Sequence, residues 1–330
     1  MQRTFAGRFR IARILSLVGL SIFGLGASLA PSGAVEPLRV GHFPNVTHVQ
    51  ALVAHHFSRT GKGWFEERLG VPVEWFVYNA GPSAMEAIFA RSIDLTYVGP
   101  SPALNAYVKS EGTEARIVAG AVNGGSALVV HRDSNIHAAA DFRGRVLATP
   151  QLGNTQDVAA RAWLAAGGLK FTLGGGEVRI LPTANPDQLQ LFVQKKLDGV
   201  WTVEPWVSGL EAEAGGKALV EEPNAPTTVL VVRAAFLKDR RELVRKFVNA
   251  HAELTDWIVK NPTQAQEIVR KELSEEVRAQ ISPLLVASAW RRMTLTVHAD
   301  LGELKSFVAN AQKAGLMKTV PDLGRLIEAP

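Results

Sequence analysis

"SIDLTYVGPSPALNA", residues 92–106, reads as a β-strand, a sharp turn and the first turns of a helix. "DLTYVG" (94–99) is a short run of strand formers, and Ser101 followed by Pro102 is a helix start, with proline at the first helical position. The same passage from strand to helix recurs. Strand-like runs at 38–43, 71–79, 94–99, 115–122, 126–132, 145–150, 177–183, 199–203 and 227–233 alternate with helical stretches near 47–60, 83–91, 101–109, 155–166, 186–196 and 205–214. Such alternation predicts α/β layers around a largely parallel sheet. Residues 236–328 are helical in pattern, with starts at Lys238-Asp239, Asn261-Pro262, Ser282-Pro283 and Asp300. "GGLKFTLGGGE" (167–177) is expected to be a flexible connection.

The 330 residues suffice for a large core. Four of the five net positive charges come from Arg3, Arg8, Arg10 and Arg13, within a first 34 residues that contain no acid. The rest of the chain is nearly neutral, so a nucleic-acid partner is not expected. "MQRTFAGRFRIAR", the apolar "ILSLVGLSIFGLGASLA" and the small residues Ser32-Gly33-Ala34 have the order of a cleavable export signal over 1–34, which directs the chain to the periplasm. The chain has no cysteine, which excludes thiol catalysis, disulfides, Fe–S clusters and cysteine-ligated zinc.

Four junctions, "GHFPNVTHVQ" (41–50), "VGPSPALNA" (98–106), "NGGSAL" (123–128) and "PQLGNTQD" (150–157), place small or hydroxyl residues where a strand ends. All four read as junctions of a strand with a helix. The first N–H groups of a helix have no internal partner and carry about half a positive charge. Several such ends around one cleft bind an anion without a lysine; taken singly, each is also an ordinary helix cap. "WTVEPW" (201–206) sets a carboxylate between two tryptophans, suited either to an apolar tail with a cation or to a core tryptophan and a helix start. His48 falls in the first turn after a junction, as an anion donor or a surface residue. His55 and His56 read as solvated or capping. His48 and His55, seven apart, cannot share a metal as an i, i+4 pair can, so no metal is expected. Asp94 and Asp198 mark turns into strands. No nucleophile elbow, phosphate loop or dinucleotide fingerprint is present, and neither enzymatic activity nor a cofactor is expected.

"GHFPNVTHVQALV", "NAGPSAMEAIFARSIDLTYVGPSPALNAYV", "GGSALVV" and "WTVEPW" resemble the solute-binding proteins of the nitrate/taurine/aliphatic-sulfonate class of ABC importers, over about 36–325. The resemblance implies a type II periplasmic-binding fold: two α/β lobes joined by two crossing strands, "SALVV" and "TTVLV", around a ligand cleft. Residues 36–123 and 228–330 would form one lobe and 124–227 the other. It implies that Ser101, Gly125, Ser126, Asn154, Thr155 and Gln156 meet an oxyanion head. Phe43, Asn45 and His48 would wall it, and Glu204 and Trp206 would face the tail, where a carboxylate favours an amine such as that of taurine. The implied activity is capture of a small organosulfonate for a permease and its ATPase, by a monomer. Relatives of the fold also take nitrate, bicarbonate, sulfate esters or pyrimidines, for transport or sensing, and some make a pyrimidine. The absence of an arginine from the expected site favours a monoanion.

Overall fold

Two β-sheets organise the chain, seen in a computed structural model that describes residues 35–172, 174–318 and 322–330. The expected signal, 1–34, lies outside them. The chain begins with β1 (Leu38–His42), α1 (Val49–Arg59), α2 (Trp64–Leu69), β2 (Val73–Val77), α3 (Gly81–Phe89), β3 (Leu95–Val98), α4 (Pro100–Lys109) and β4 (Ala115–Gly124). There follow β5 (Ser126–His131), β6 (Val146–Thr149), α5 (Thr155–Ala166), β7 (Phe171–Thr172), β8 (Gly175–Gly176), β9 (Arg179–Pro182), α6 (Asn185–Val193), β10 (Gly199–Val203), α7 (Trp206–Glu213) and β11 (Gly216–Glu221). The last part is β12 (Pro226–Arg233), α8 (Ala234–Asp239), α9 (Arg241–Lys260), α10 (Pro262–Val277), α11 (Pro283–Trp290), β13 (Met293–Leu295) and α12 (Leu301–Lys313).

The first sheet has the order β13-β4-β12-β3-β1-β2 and the second β11-β5-β10-β6-β9. Each contains a parallel trio, β2-β1-β3 and β10-β6-β9. The expectation of largely parallel sheets needs correcting at their other halves, where β12 runs antiparallel to β3 and β4, and β5 antiparallel to β10 and β11. The reason is connectivity: β5 and β12 are the strands by which the chain enters each sheet from the other. The outward crossing is Gly124-Gly125, both with left-handed φ, 77° and 73°. A Cβ on Gly124 would stand 2.5 Å from the Arg292 carbonyl and 2.7 Å from that of Pro223 on the return crossing, so only glycine fits. The Gly-rich 167–177 segment, expected to be a plain connection, contains the β7–β8 hairpin.

Helices cover both faces of the first sheet. The α9 residues Val244, Phe247, Ala250, His251, Leu254, Thr255 and Ile258 recur at helical spacing and are buried. Phe247 stacks on Phe65 of α2 with centroids 4.0 Å apart. On the other face α3 and α4 pack with α12, which also contacts α5 of the second sheet. Asp94, read as a turn into a strand, also ties strands together: its carboxylate accepts from Arg39 on β1 at 2.9 and 3.1 Å and from Arg233 on β12 at 3.1 Å.

His251 sits in this core with both ring nitrogens engaged, Nε2 against the Gly120 carbonyl (2.9 Å) and Nδ1 against the Tyr97 hydroxyl (3.0 Å). Burial pushes its pKa down to about 4, the Gly120 carbonyl opposing the shift. The unfolded chain therefore binds a proton near pH 6.5 that the folded chain refuses until about 4. This contribution is complete above pH 6.5 and falls by roughly 3 kcal/mol as pH drops to 4. Urea unfolding of the wild type should lose stability between pH 6.5 and 5, and His251→Gln, weaker at pH 7, should give a flatter curve there; parallel curves would contradict the assignment.

Candidate functional site

The carboxyl ends of the two parallel trios face each other, and the loops that leave them form a cleft. Three loops and one strand of the first sheet contribute: Phe43 to His48 after β1, Asn79 to Gly81 after β2, Gly99 to Pro102 after β3, and Thr227 in β12. The second sheet contributes Pro150 and Asn154 to Gln156 after β6, Asn185 after β9, and Val203 at the end of β10. These walls nearly touch, leaving a cavity of about 20 Å³, room for about one water.

The loop after β6 is held by one carboxylate. Asp157 accepts from Thr149 Oγ1 (3.0 Å), the Gly153 N–H (2.9 Å) and Arg161 Nε (2.8 Å), all in a fully buried position. Asn154 caps α5 by accepting from the Asp157 N–H at 2.8 Å. The N–H groups of Thr155 and Gln156, in the first helical turn, have no helical carbonyl to reach. Across the cleft, the Ser101 N–H lies 3.4 Å from Thr155 Oγ1, and a Cβ on Gly99 would come within 2.3 Å of that oxygen. Glycine at 99 therefore permits this approach of the two sheets. The Ser101 hydroxyl oxygen is itself buried with no hydrogen-bond partner.

Asn45 is the other bridge. Its Oδ1 accepts from Trp206 Nε1 (2.8 Å) and from Asn185 Nδ2 (3.1 Å), and Thr202 Oγ1 holds Asn185 in turn (3.1 Å). The Val46 N–H adds a backbone bond to the Glu204 carbonyl at 3.0 Å. None of the residues lining the cavity is Lys, Arg, Asp or Glu. Its polar groups are amides, hydroxyls, helix-end N–H groups and His48.

His48 is buried, tilted against Phe43 with centroids 4.4 Å apart, and its Nδ1 accepts from the Phe43 N–H at 3.4 Å. The proton then sits on Nε2. Burial first, and then the neighbouring His42, hold its pKa well below the usual histidine value. A charged donor, one sense of the sequence reading, is thereby replaced by a neutral one. Ligand affinity should stay flat from pH 5.5 to 8 in calorimetric titrations, and a fall across that range would contradict the neutral ring.

Phe43, Asn45, His48, Asn154, Thr155 and Gln156 thus line one cavity, and Ser101 joins at its edge. Gly125 and Ser126 lie at the crossing instead, beside a separate cavity bordered by Glu222 and Arg292, and Ser126 Oγ is bonded to Glu222 (3.0 Å), within 3.4 Å of Gln156 Nε2. Trp206 is not in the cavity lining and reaches the site through its hydrogen bond to Asn45. Glu204, expected to face a ligand tail, is fully buried. Its carboxylate accepts from the Ser208 N–H (3.1 Å), Ser208 Oγ (2.9 Å) and Arg292 Nη1 (3.1 Å). Burial raises its pKa, opposed by Ser208 and Arg292. It secures the first turn of α7 rather than awaiting an amine. His55 and His56, expected to be solvated or capping, are partly buried and bonded to Glu276 (2.9 Å) and Glu272 (3.2 Å). Asn79 and Asn185 were not singled out, although "YNAGPS" (78–83) and "TANPDQ" (183–188) carry the same signature of a strand end, a small residue and a proline.

Two α/β sheet layers, double chain crossing and a cleft at opposed strand ends define a protein of the periplasmic-binding fold. The chain belongs to the NMT1-like family, whose profile matches residues 32–271. It is 24% identical over 261 residues to a binding protein of Brucella abortus, covering 76% of each chain. To the taurine-binding periplasmic protein of Escherichia coli it is 26% identical over 204 residues, 60% of this chain and 61% of that one. Among solved structures it resembles the alkanesulfonate-binding protein of Xanthomonas axonopodis bound to MOPS, with a TM-score of 0.71 at 17% identity over 89% of this chain and 98% of that one. The nitrate-binding protein of Synechocystis gives 0.69 at 12% identity, over 87% and 84%.

Proposed function

We propose that the chain is the periplasmic solute-binding component of an ABC importer, without enzymatic activity, and that it captures a small aliphatic sulfonate between its two sheets for delivery to a permease and ATPase. Residues 36–124 and 226–330 act as one lobe, a residue or two wider at each junction than the sequence suggests, and 125–225 as the other, with the crossings at 124–125 and 222–225 as the hinge. The carrying observation is the cavity itself: uncharged donors and the α5 N-terminus converge on it, with no Lys or Arg in the lining. Neutral donors and a helix end suit a weakly hydrated monoanion, since they lose less solvation on binding than a charged side chain does.

The tail is supported separately. Beside Ser101 lies a second cavity of about 310 Å³, walled by the apolar Leu104, Leu152, Val158, Ala311 and Met317 and also by Glu86, Asn105 and Lys109. Its walls include Pro82, Ser101 and Gly153, the sequence neighbours of Gly81, Pro102 and Asn154 in the central cavity. A sulfonate head at the centre would send a hydrocarbon tail past the unpartnered Ser101 hydroxyl into this space. The carboxylate expected to meet an amine, Glu204, is already held by Ser208 and Arg292, and the charged residues of the second cavity, Glu86 and Lys109, are of opposite sign.

The test is a thermal-shift panel on the mature chain, refolded to strip carried ligand, with alkanesulfonates, taurine, nitrate, bicarbonate, sulfate and an aminopyrimidine. At a hundred times its Kd a ligand adds about 2.7 kcal/mol, several degrees in Tm. Shifts led by alkanesulfonates support the reading. A shift with nitrate, bicarbonate or the pyrimidine alone replaces the ligand class, and no shift with any of them removes the transport reading of this cleft.

A further inference from the structure

Away from the cleft, three metal-ligating side chains from distant parts of the sequence meet at one point. His42 ends β1, His55 lies in α1 and Glu276 lies in the last turn of α10. His42 Nε2 is 3.2 Å from His55 Nδ1 and 3.1 Å from Glu276 Oε1, and His55 Nδ1 is 2.9 Å from that same oxygen. A tetrahedral ion with bonds of about 2.0–2.1 Å holds its donors roughly 3.3 Å apart. The three atoms therefore approximate one face of such a tetrahedron.

The surroundings favour a cation there. The His42 side chain is fully buried and that of Glu276 is 4% exposed. Glu276 Oε2 is buried with no hydrogen-bond partner, free to turn toward an ion. Among the described residues no Lys or Arg pairs with Glu276. The nearby Arg59 is occupied by Glu272, through contacts of 2.8 to 3.1 Å. An isolated buried carboxylate is costly unless a cation meets it. Protonating both rings would crowd two N–H groups toward one oxygen with their nitrogens 3.2 Å apart, whereas two lone pairs and a carboxylate converging on a point are what a divalent ion takes. With Nε2 presenting its lone pair, the His42 proton sits on Nδ1, which is buried with no acceptor to orient the ring, so that orientation comes from packing. Trp75 stacks on His55 (5.5 Å, 24°) and lies edge-on to His42 (5.5 Å, 86°), fixing both rings and walling the cluster with an apolar surface.

We propose that His42, His55 and Glu276 form a binding site for zinc or a similar divalent transition metal, with its remaining position toward Glu272 and the partly exposed edge of His55. The ligand set, two histidines and a glutamate, suits zinc. Because Phe43 follows His42 directly and Asn45 comes two residues after Phe43, the ion fastens the strand end that carries the cleft wall to α1 and α10. It does not touch the transported solute, so the inference stands independently of what the cleft binds.

The test uses the mature chain freed of any affinity tag and stripped with chelator, titrated with zinc chloride by calorimetry and with cobalt chloride by visible absorption. One equivalent should bind, with the intense cobalt bands of a tetrahedral site and a rise of several degrees in Tm. Binding should weaken at least a hundredfold in His55→Ala and in Glu276→Gln. It should persist in His56→Ala, whose ring contacts Glu272 and not the triad. Absence of stoichiometric binding by the wild type overturns the proposal whether or not the variants fold. So does binding that both triad substitutions leave unchanged.

Discussion

Asp157→Ala should destabilise the protein by about 3–5 kcal/mol, because it leaves the Arg161 guanidinium buried and unpaired. Arg161 is 2% exposed and donates to Asp157 at 2.8 Å. The same carboxylate organises Thr149 and Gly153, so the loss extends to the loop that presents Asn154 and Thr155. Removing the charge as well, in Asp157→Ala with Arg161→Met, should recover much of the stability, since no orphaned ion then remains. Urea denaturation of the three proteins checks this. A single variant within 1 kcal/mol of wild type (roughly the size of one neutral hydrogen bond) would show that Arg161 finds another partner or water.

Asn45→Ala should weaken ligand binding by roughly ten- to a hundredfold while leaving the fold intact. One side-chain oxygen joins the loop after β1 to Trp206 and Asn185 on the other side of the cleft. Its removal strands two donors, at about 1–3 kcal/mol for a buried group. That loss falls on the closed arrangement, because in an opened cleft water satisfies both. A binding protein whose closed form is less populated has a proportionately weaker apparent affinity. Trp206 should also change its fluorescence on binding in the wild type more than in the variant. Equal affinities would mean that Asn45 contributes nothing to closure.

Local chemistry made much of this fold legible. α5 begins and ends where the sequence puts it, at Thr155 and Ala166, because Asn154 caps it and Gly167 follows it. β11 and β13 were missed because "GKALVE" and "MTL" are edge strands whose identity comes from their neighbours β5 and β4. Lone α2 is too short to show a period. At the cleft, the residues found from sequence are those on junctions with hydroxyls or asparagines next to glycine and proline. Glu204 was misread because its partner Arg292 lies 88 residues away, and nothing local distinguishes a carboxylate facing a cleft from one facing a distant guanidinium. His55 and His56 were misread for the same reason: Glu272 and Glu276 are more than 200 residues downstream. Contacts of that kind are products of topology, and no pattern within one segment encodes them.

The most direct test of the central claim, that a small sulfonate is held between the two sheets by uncharged donors, is a calorimetric titration of butanesulfonate into the refolded mature chain and into Thr155→Val. Thr155 Oγ1 is the hydroxyl that meets the opposite sheet at Ser101. The account predicts one-to-one binding to the wild type and an affinity at least tenfold lower in the variant, about 1.4 kcal/mol. No binding to the wild type, or equal affinity in both proteins, would contradict it.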